Sequence, residues 1–248
     1  MKTVTVVIPA LNEEQGIGDV IKEIPINELK KMGYNTEVLV IDNGSQDQTP
    51  HIARTHGAKV IIQPIRGYGN AYKAGFANAT GSIIATGDAD MTYPFNILPG
   101  VIKLIEDTGV DFVNTNRLTT LKHEAMEGSH VLGNHVLTGL ARILYGWPFK
   151  DSQSGMWIFK RSIWKDLRVN SSGMPFSQEL KIEAYIRGFK CIEIPIDYRA
   201  RAGEGKLNTV RDGIGNIKQL IKKRLGFGLT MPTTYTEKPI VLGDKGRK

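Results

Sequence analysis

Residues 87–94, Gly-Asp-Ala-Asp-Met-Thr-Tyr-Pro, set two aspartates one residue apart behind an apolar run. The run over 81–90 reads as a strand, with β-branched and apolar residues between a glycine turn and an acidic end. Positions i and i+2 of an extended chain share a face, so Asp88 and Asp90 are expected to point the same way. Two carboxylates that close repel and need a cation between them. A strand that simply ends in a polar turn would look alike, and the company of the pair decides. Three other apolar runs end in PALNE (9–13), DNGSQD (42–47) and NTNR (114–117), so polar groups recur at four strand ends. Carboxylates at i and i+2 suit Mg2+ or Mn2+, which take one or two protein oxygens and complete their shell with substrate phosphates. A metal diphosphate bridging Asp88 and Asp90 is the expectation.

These ends must be held side by side, and the order of elements supplies the frame. Strands are expected over 3–10, 36–45, 58–65, 81–90 and 111–117. Helices are expected over 17–31 with a break at Pro25, and over 49–56, 69–79 and 96–107. Near-continuous apolar strands separated by helices predict an α/β fold, a mainly parallel sheet with both faces covered. In such sheets the ligand crevice lies beyond the carboxyl ends of the strands.

The chain has 248 residues, 41% of them hydrophobic, enough for one large domain, expected over 1–225 with a flexible tail over 226–248. The single Cys191 excludes an intramolecular disulfide and fits a reducing compartment. No apolar run reaches the length of a membrane span. The opening MKTVTVVIPALNEE turns polar soon after its apolar stretch and reads as a strand, not a signal peptide. Of the net charge of +7, most falls between 199 and 224, where eight Lys/Arg face only Glu204 and Asp212. An anionic partner is therefore expected at the C-terminal part. RNA readers interleave aromatics with such a patch, and none are interleaved here, so nucleic acid is not the expected partner.

Two helical stretches bear on that partner. In 128–149, Val131, Leu132, Val136, Leu137, Leu140, Ile143 and Leu144 follow helical spacing, and Tyr145 and Trp147 close the stretch with residue types suited to a membrane interface. Over 208–225, Val210, Ile214, Ile217, Ile221 and Leu225 share one face, with Arg211, Lys218, Lys222 and Arg224 on the others. A basic amphipathic helix reads as a membrane-surface element, each cation contributing about 1 kcal/mol at an anionic leaflet. A helix docked on the sheet with a solvated basic face is the competing reading. The stretch GYGNAYKAG (67–75) fails as a dinucleotide fingerprint, because Tyr72 stands where the third glycine belongs.

Together VVIPALNEE, VIDNGSQD, GDAD and DSQSGMW (151–157) resemble the family 2 inverting nucleotide-sugar glycosyltransferases of the GT-A fold, over roughly residues 3 to 221. Within that family the chain is similar to enzymes that load a hexose onto dolichyl or another polyprenyl phosphate. The resemblance implies that Pro9, Leu11 and Glu13 close around the base and ribose of a nucleotide-sugar donor. It implies that Asp42 holds a uracil or guanine, with Asn43 in place of the usual second Asp. Asp88, Ala89 and Asp90 match the DxD motif, with Asp88 and Asp90 as ligands of Mg2+ or Mn2+ and Asp90 the more direct. Thr92 stands where some relatives supply a Gln as a further ligand. Arg117 matches an arginine near the donor or acceptor phosphates. The segment 67–75 matches a loop-to-helix segment that packs beside the donor.

The same resemblance gives Asp151 a role in orientation or weak base duty, and Gln153 a hydrogen bond near sugar or acceptor. A phosphate monoester is mostly dianionic at neutral pH, with a second pKa of about 6, so it attacks without a strong base. If the acceptor were a saccharide hydroxyl, Asp151 would become an obligatory base. Arg201 and Lys206 match a loop that clamps the diphosphate, with Gly205 replacing a serine, and Gly203 and Gly205 suggest a mobile flap. The implied partners are the nucleotide sugar, the polyprenyl or dolichyl phosphate and a membrane surface, the enzyme lying peripherally on its cytoplasmic face. A membrane partner protein or a homo-oligomer is a further partner that the resemblance allows.

Overall fold

A computed structural model of the chain describes residues 1–120, 128–203 and 209–227. Gly205, Lys206 and the tail beyond 227 lie outside the described residues.

Seven strands form one sheet in the order β3-β2-β1-β4-β6-β5-β7. They are β1 (Lys2–Ala10), β2 (Tyr34–Asp42), β3 (Lys59–Ile62), β4 (Ile83–Thr86), β5 (Phe112–Asn116), β6 (Trp157–Lys160) and β7 (Cys191–Pro195). All run parallel except β6, which pairs antiparallel with β4 and β5. Alternation along β1 and β2 assigns residues to two cores. Val4, Val6, Ile8 and Val40 pack under α1 (Ile17–Glu23), α2 (Ile26–Lys31) and α5 (Leu98–Thr108). Val7, Leu39 and Ile41 pack under α4 (Tyr68–Asn78), α6 (Gly128–Tyr145), α7 (Phe176–Ile186) and α8 (Thr209–Phe227). The expected α/β architecture with both faces covered is what forms. Pro25 separates α1 from α2, and the residue before it, Ile24, is extended (φ −61°, ψ 122°), as proline demands of its predecessor.

The odd direction of β6 matters for function. The parallel strands β1, β2, β4 and β5 finish at one edge of the sheet, and an antiparallel strand must begin there. Residues 151–156, which lead into β6, therefore arrive at the same edge as the four polar strand ends.

Four expectations need correction. β4 stops at Thr86, so Asp88 and Asp90 lie past the strand and pleat alternation does not set their directions. Neither α7 nor β7 was anticipated. Tyr145 and Trp147 are each 2% exposed and sit in the core, Tyr145 donating its hydroxyl to the carbonyl of Leu220 (2.6 Å), so neither serves a membrane interface. Finally, α6 buries Asn134, Leu137, Thr138 and Ala141 while Leu132, Val136 and Ile143 face outward. In α8, Asn216 and Leu220 are buried while Ile214, Ile221 and Leu225 are exposed. Both helices thus turn part of the expected apolar face away from the sheet. No described helix is long and apolar enough to cross a membrane.

Candidate active site

Strands β1 and β2 end in register, Ala10 beside Asp42, and their following loops are tied together. The amide of Asn12 donates to Ser45 Oγ (2.9 Å), the amide of Gln46 to Asn12 Oδ1 (2.8 Å), and the amide of Glu13 to Thr49 Oγ1 (2.7 Å). Pro9 lies in β1, and Leu11 and Glu13 are half-buried in this joined block. Asp42 is buried, and one carboxylate oxygen accepts the amide of Ser45 (3.1 Å). Asn43, the departure noted above, has a use that an aspartate could not fill. Its Nδ2 donates to the carbonyls of Gln63 and Ile65 (both 3.0 Å) while its Oδ1 accepts the amide of Gly67 (2.7 Å). One side chain thereby ties the end of β2 to the loop entering α4.

Asp88 is half-buried and Asp90 buried, in a turn where Met91 takes φ 69°, a left-handed conformation uncommon for a side-chain-bearing residue. Burial pushes the Asp88 carboxyl up to about 7; Asp90 and Glu13 add to the rise, while Arg117 and Arg201 oppose it. Asp90, Arg117, Arg201 and Glu13 are thus all near enough to act on Asp88. Asp90 accepts the Thr92 hydroxyl (2.6 Å) and amide (3.2 Å) on Oδ1 and pairs with Arg201 Nη2 (3.0 Å) through Oδ2. Two backbone bonds stitch the basic segment across this turn, Arg199 N to Thr92 O (3.1 Å) and Ala202 N to Asp90 O (2.8 Å). Thr92 therefore braces Asp90.

A divalent cation fits this pair. Two carboxylates, one of them held away from its charged form by burial and a like neighbour, are short of positive charge. No group of three or more His, Cys, Asp or Glu suited to a metal occurs among the described residues. Mg2+ and Mn2+ commonly complete a shell begun by one or two carboxylates with substrate phosphates and water.

The loop before β6 carries the second half of the site. Asp151 is 0% exposed and bound on every side. Its Oδ2 accepts the amide (3.0 Å) and Nε (2.8 Å) of Arg117; its Oδ1 accepts Arg117 Nη2 (2.9 Å), Asn134 Nδ2 (2.7 Å) and the amide of Gln153 (3.0 Å). Burial alone would raise this carboxyl, but the Arg117 guanidinium, Lys181 and the Asn134 hydrogen bond together more than offset that and hold it well below the usual carboxylate range. Asp151 is accordingly a weak base and a firm clamp on Arg117. Arg117 lies over the Tyr198 ring, 5.3 Å from its centroid. Gln153 turns its amide nitrogen to Gln178 Oε1 (3.1 Å), and Gln178 in turn donates to the carbonyl of Asn216 (2.7 Å) on α8. That side chain links the loop to the C-terminal helix.

Sequence reading missed the supports of this cluster. Glu193 on β7 is buried; Oε1 accepts Asn114 Nδ2 (2.9 Å) and the amide of Asp151 (3.1 Å), and Oε2 accepts Asn116 Nδ2 (2.9 Å). Lys181 on α7 is equally buried and donates to the carbonyl of Ser154 (2.8 Å); burial pushes its ammonium down to about 7. A glutamate inside the apolar run CIEIP is the one signal that could have pointed to Glu193.

Comparison with known proteins agrees with this geometry. Residues 5–168 match the profile of Glycosyl transferase family 2. The low-salt glycan biosynthesis hexosyltransferase Agl6 of Haloferax volcanii is 36% identical over 236 residues, which cover 93% of this chain but only 56% of that protein. The dolichyl-phosphate hexose transferase of the same organism is 37% identical over 218 residues, covering 88% of this chain and 92% of that protein. Among solved structures, Mycobacterium tuberculosis glucosyl-3-phosphoglycerate synthase in complex with Mn2+, UDP and glucosyl-3-phosphoglycerate superposes with a TM-score of 0.71 at 25% identity, covering 91% of this chain and 80% of the other. The chain belongs to glycosyl transferase family 2, an enzyme family, and has the GT-A fold.

Proposed function

We propose that this enzyme moves a hexose, with inversion, from a UDP- or GDP-linked sugar to a dolichyl or other polyprenyl phosphate at the cytoplasmic face of a membrane, feeding glycoconjugate synthesis. The observation that carries the reading is the state of Asp151. A hydroxyl acceptor needs a base, and the carboxylate offered for that duty is saturated by Arg117, Asn134 and the Gln153 amide. A dianionic phosphate needs none and is drawn by cations, which Arg117 and Arg201 supply near Asp88. The name of the Haloferax dolichyl-phosphate hexose transferase supports the same acceptor class.

In this reading Asp42, Pro9, Leu11 and Glu13 hold the nucleoside, and Asp88 and Asp90 hold Mg2+ or Mn2+, as the Mn2+ and UDP complex of the structural neighbour supports. The cation, when bound, would neutralise charge on the departing diphosphate. Arg201, released from Asp90, is left to meet the diphosphate oxygens, and Arg117, fixed by Asp151, meets the acceptor phosphate. Lys206 is assigned to the same clamp by its place in sequence.

The outward faces of α6 and α8 support attachment to a membrane. Six of the ten exposed large hydrophobics among the described residues lie on these two helices, including Ile143 (81% exposed) and Leu225 (77%). Lys218 and Lys222 are exposed beside the apolar positions of α8, the charge that an anionic leaflet complements.

The test is transfer from radiolabelled UDP- and GDP-sugars to dolichyl phosphate with Mg2+ or Mn2+. Labelled glycolipid that disappears with chelator supports the reading. No product from any donor rules it out.

A further inference from the structure

The stretch GYGNAYKAG has so far carried no chemistry, yet its geometry is demanding. Gly67 takes φ 140°, and a Cβ there would stand 2.3 Å from the carbonyl oxygen of Ser172. A Cβ on Gly69 would stand 2.5 Å from the carbonyl oxygen of Ser171. Contacts that short do not occur, so only glycines let the first turn of α4 press against the backbone of 171–172. The amide of Asn70 completes the seam by donating to Ser172 O (3.1 Å). Both glycines flank Tyr68, and the seam fixes where that side chain goes.

It goes to the acid pair. A Cβ placed on Gly155 would meet Tyr68 Oη at 2.7 Å, Tyr93 Oη at 3.3 Å and Asp88 Oδ2 at 3.4 Å. Two tyrosine hydroxyls and a carboxylate oxygen therefore surround the spot where residue 155 lacks a side chain. Tyr93 is already engaged, accepting the amide of Gly155 (2.6 Å). The Tyr68 ring is set edge-on against Tyr72 (centroids 4.9 Å apart, 79°), and Tyr72 stacks on Phe176 (5.8 Å, 6°), so the Tyr68 hydroxyl is held in place before any ligand arrives.

Direction along the site gives this hydroxyl a partner. The nucleoside end is the β1–β2 block and the diphosphate end is Asp88 and Asp90, while Arg117 and Asp151 mark the acceptor side. The sugar must lie between the last two, and Tyr68 stands beside Asp88 at that border, brought there because residue 155 has no side chain to displace it. We propose that Tyr68 is a specificity-determining residue for the transferred hexose, its hydroxyl hydrogen-bonding a sugar hydroxyl beside the Asp88 carboxylate. This deepens the transferase reading and rests on it.

The experiment compares wild type, Y68F and G155A in two measurements with Mn2+ present. One is calorimetric binding of UDP and GDP; the other is kcat/KM for UDP-glucose and GDP-mannose with dolichyl phosphate as acceptor. Loss of one neutral hydrogen bond made to the sugar alone predicts that Y68F lowers kcat/KM roughly 3- to 10-fold. Its affinity for the preferred bare diphosphate should stay within about twofold, a margin set by that same bond's absence from the diphosphate complex. G155A, whose methyl group would stand 2.7 Å from Tyr68 Oη and force that hydroxyl aside, should lose sugar-donor turnover far more than diphosphate binding. If Y68F leaves kcat/KM unchanged, or weakens the bare diphosphate as much as the sugar donor, the assignment of Tyr68 is overturned while the transferase reading stands. If wild type binds neither diphosphate, both fall together. A thermal melt of Y68F that matches wild type keeps the comparison free of folding losses.

Discussion

Replacing Asp151 by Asn tests the clamp on Arg117 with an isosteric change. Asp151 is wholly buried and accepts three hydrogen bonds from Arg117 alone, with Asn134 and Gln153 supplying two more. An amide in its place offers one acceptor oxygen and turns an N–H donor towards groups that are themselves donors. Arg117, 8% exposed, would be left as a buried charge without its counter-ion. Removing one partner of a buried pair typically costs about 3–5 kcal/mol. Urea denaturation of metal-free D151N at pH 7 should therefore show a loss of that size. The pH dependence sharpens the test. A depressed carboxyl contributes stability that is present above its unfolded value, 3.8, and is lost as pH falls through the folded value, which here lies well below the carboxylate range. The gap between wild type and D151N should not shrink from pH 8 down to about 4, since loss of the Asp151 charge also makes buried Lys181 harder to protonate, and should close only below that. A loss under about 1 kcal/mol, or a gap that already shrinks by pH 6, would mean that Asp151 is free to act as a base, against the clamp described above.

Other outcomes follow from the same contacts. Because Asp88 is raised to about 7, the folded state holds its proton more tightly than the unfolded chain, so its contribution favours folding at low pH and declines as pH rises from 3.8 towards 7. In melts without metal, D88N should flatten that decline, and in wild type Mn2+ should raise Tm more at pH 8 than at pH 6. R201Q removes the cation that competes for Asp90, so Mn2+ titrated without nucleotide should bind roughly 2- to 5-fold more tightly, while affinity for Mn2+–UDP or Mn2+–GDP falls. Exposed Ile143 and Leu225 can be changed to Asp without touching the core; the double variant should lose about tenfold or more in partition to vesicles containing anionic lipid, and unchanged sedimentation would reject this face as the attachment surface.

How much of this was legible beforehand depended on the distance over which each feature is encoded. Strand ends at PALNE, DNGSQD, GDAD and NTNR were readable because each follows directly on an apolar run, and Pro25 marked its break by local sterics. Helix α7 was not readable. It buries Ser177, Gln178, Glu179, Lys181 and Glu183 along with its apolar residues, so it has no amphipathic period to detect. The inversion of α6 has a related origin. Asn134 and Thr138 turn inward because Asp151 and Ser152 are there to bond them (2.7 and 2.9 Å), a pairing that only the folded chain creates. Arg117 and Asp151 were each picked out singly, but their union joins residues 34 apart and changes the meaning of both. Gly67, Gly69 and Gly155 were visible as letters, whereas their necessity comes from backbone brought in from 171–172 and side chains from 68, 88 and 93.

The most direct test of the whole account is anomalous diffraction at the manganese edge from crystals grown with Mn2+ and UDP or GDP. The expected map has one manganese peak within about 2.5 Å of an Asp90 carboxylate oxygen, bridged to the diphosphate, with Arg201 moved off Asp90. A nucleotide bound with no manganese at Asp88 and Asp90, or manganese bound elsewhere, would contradict it.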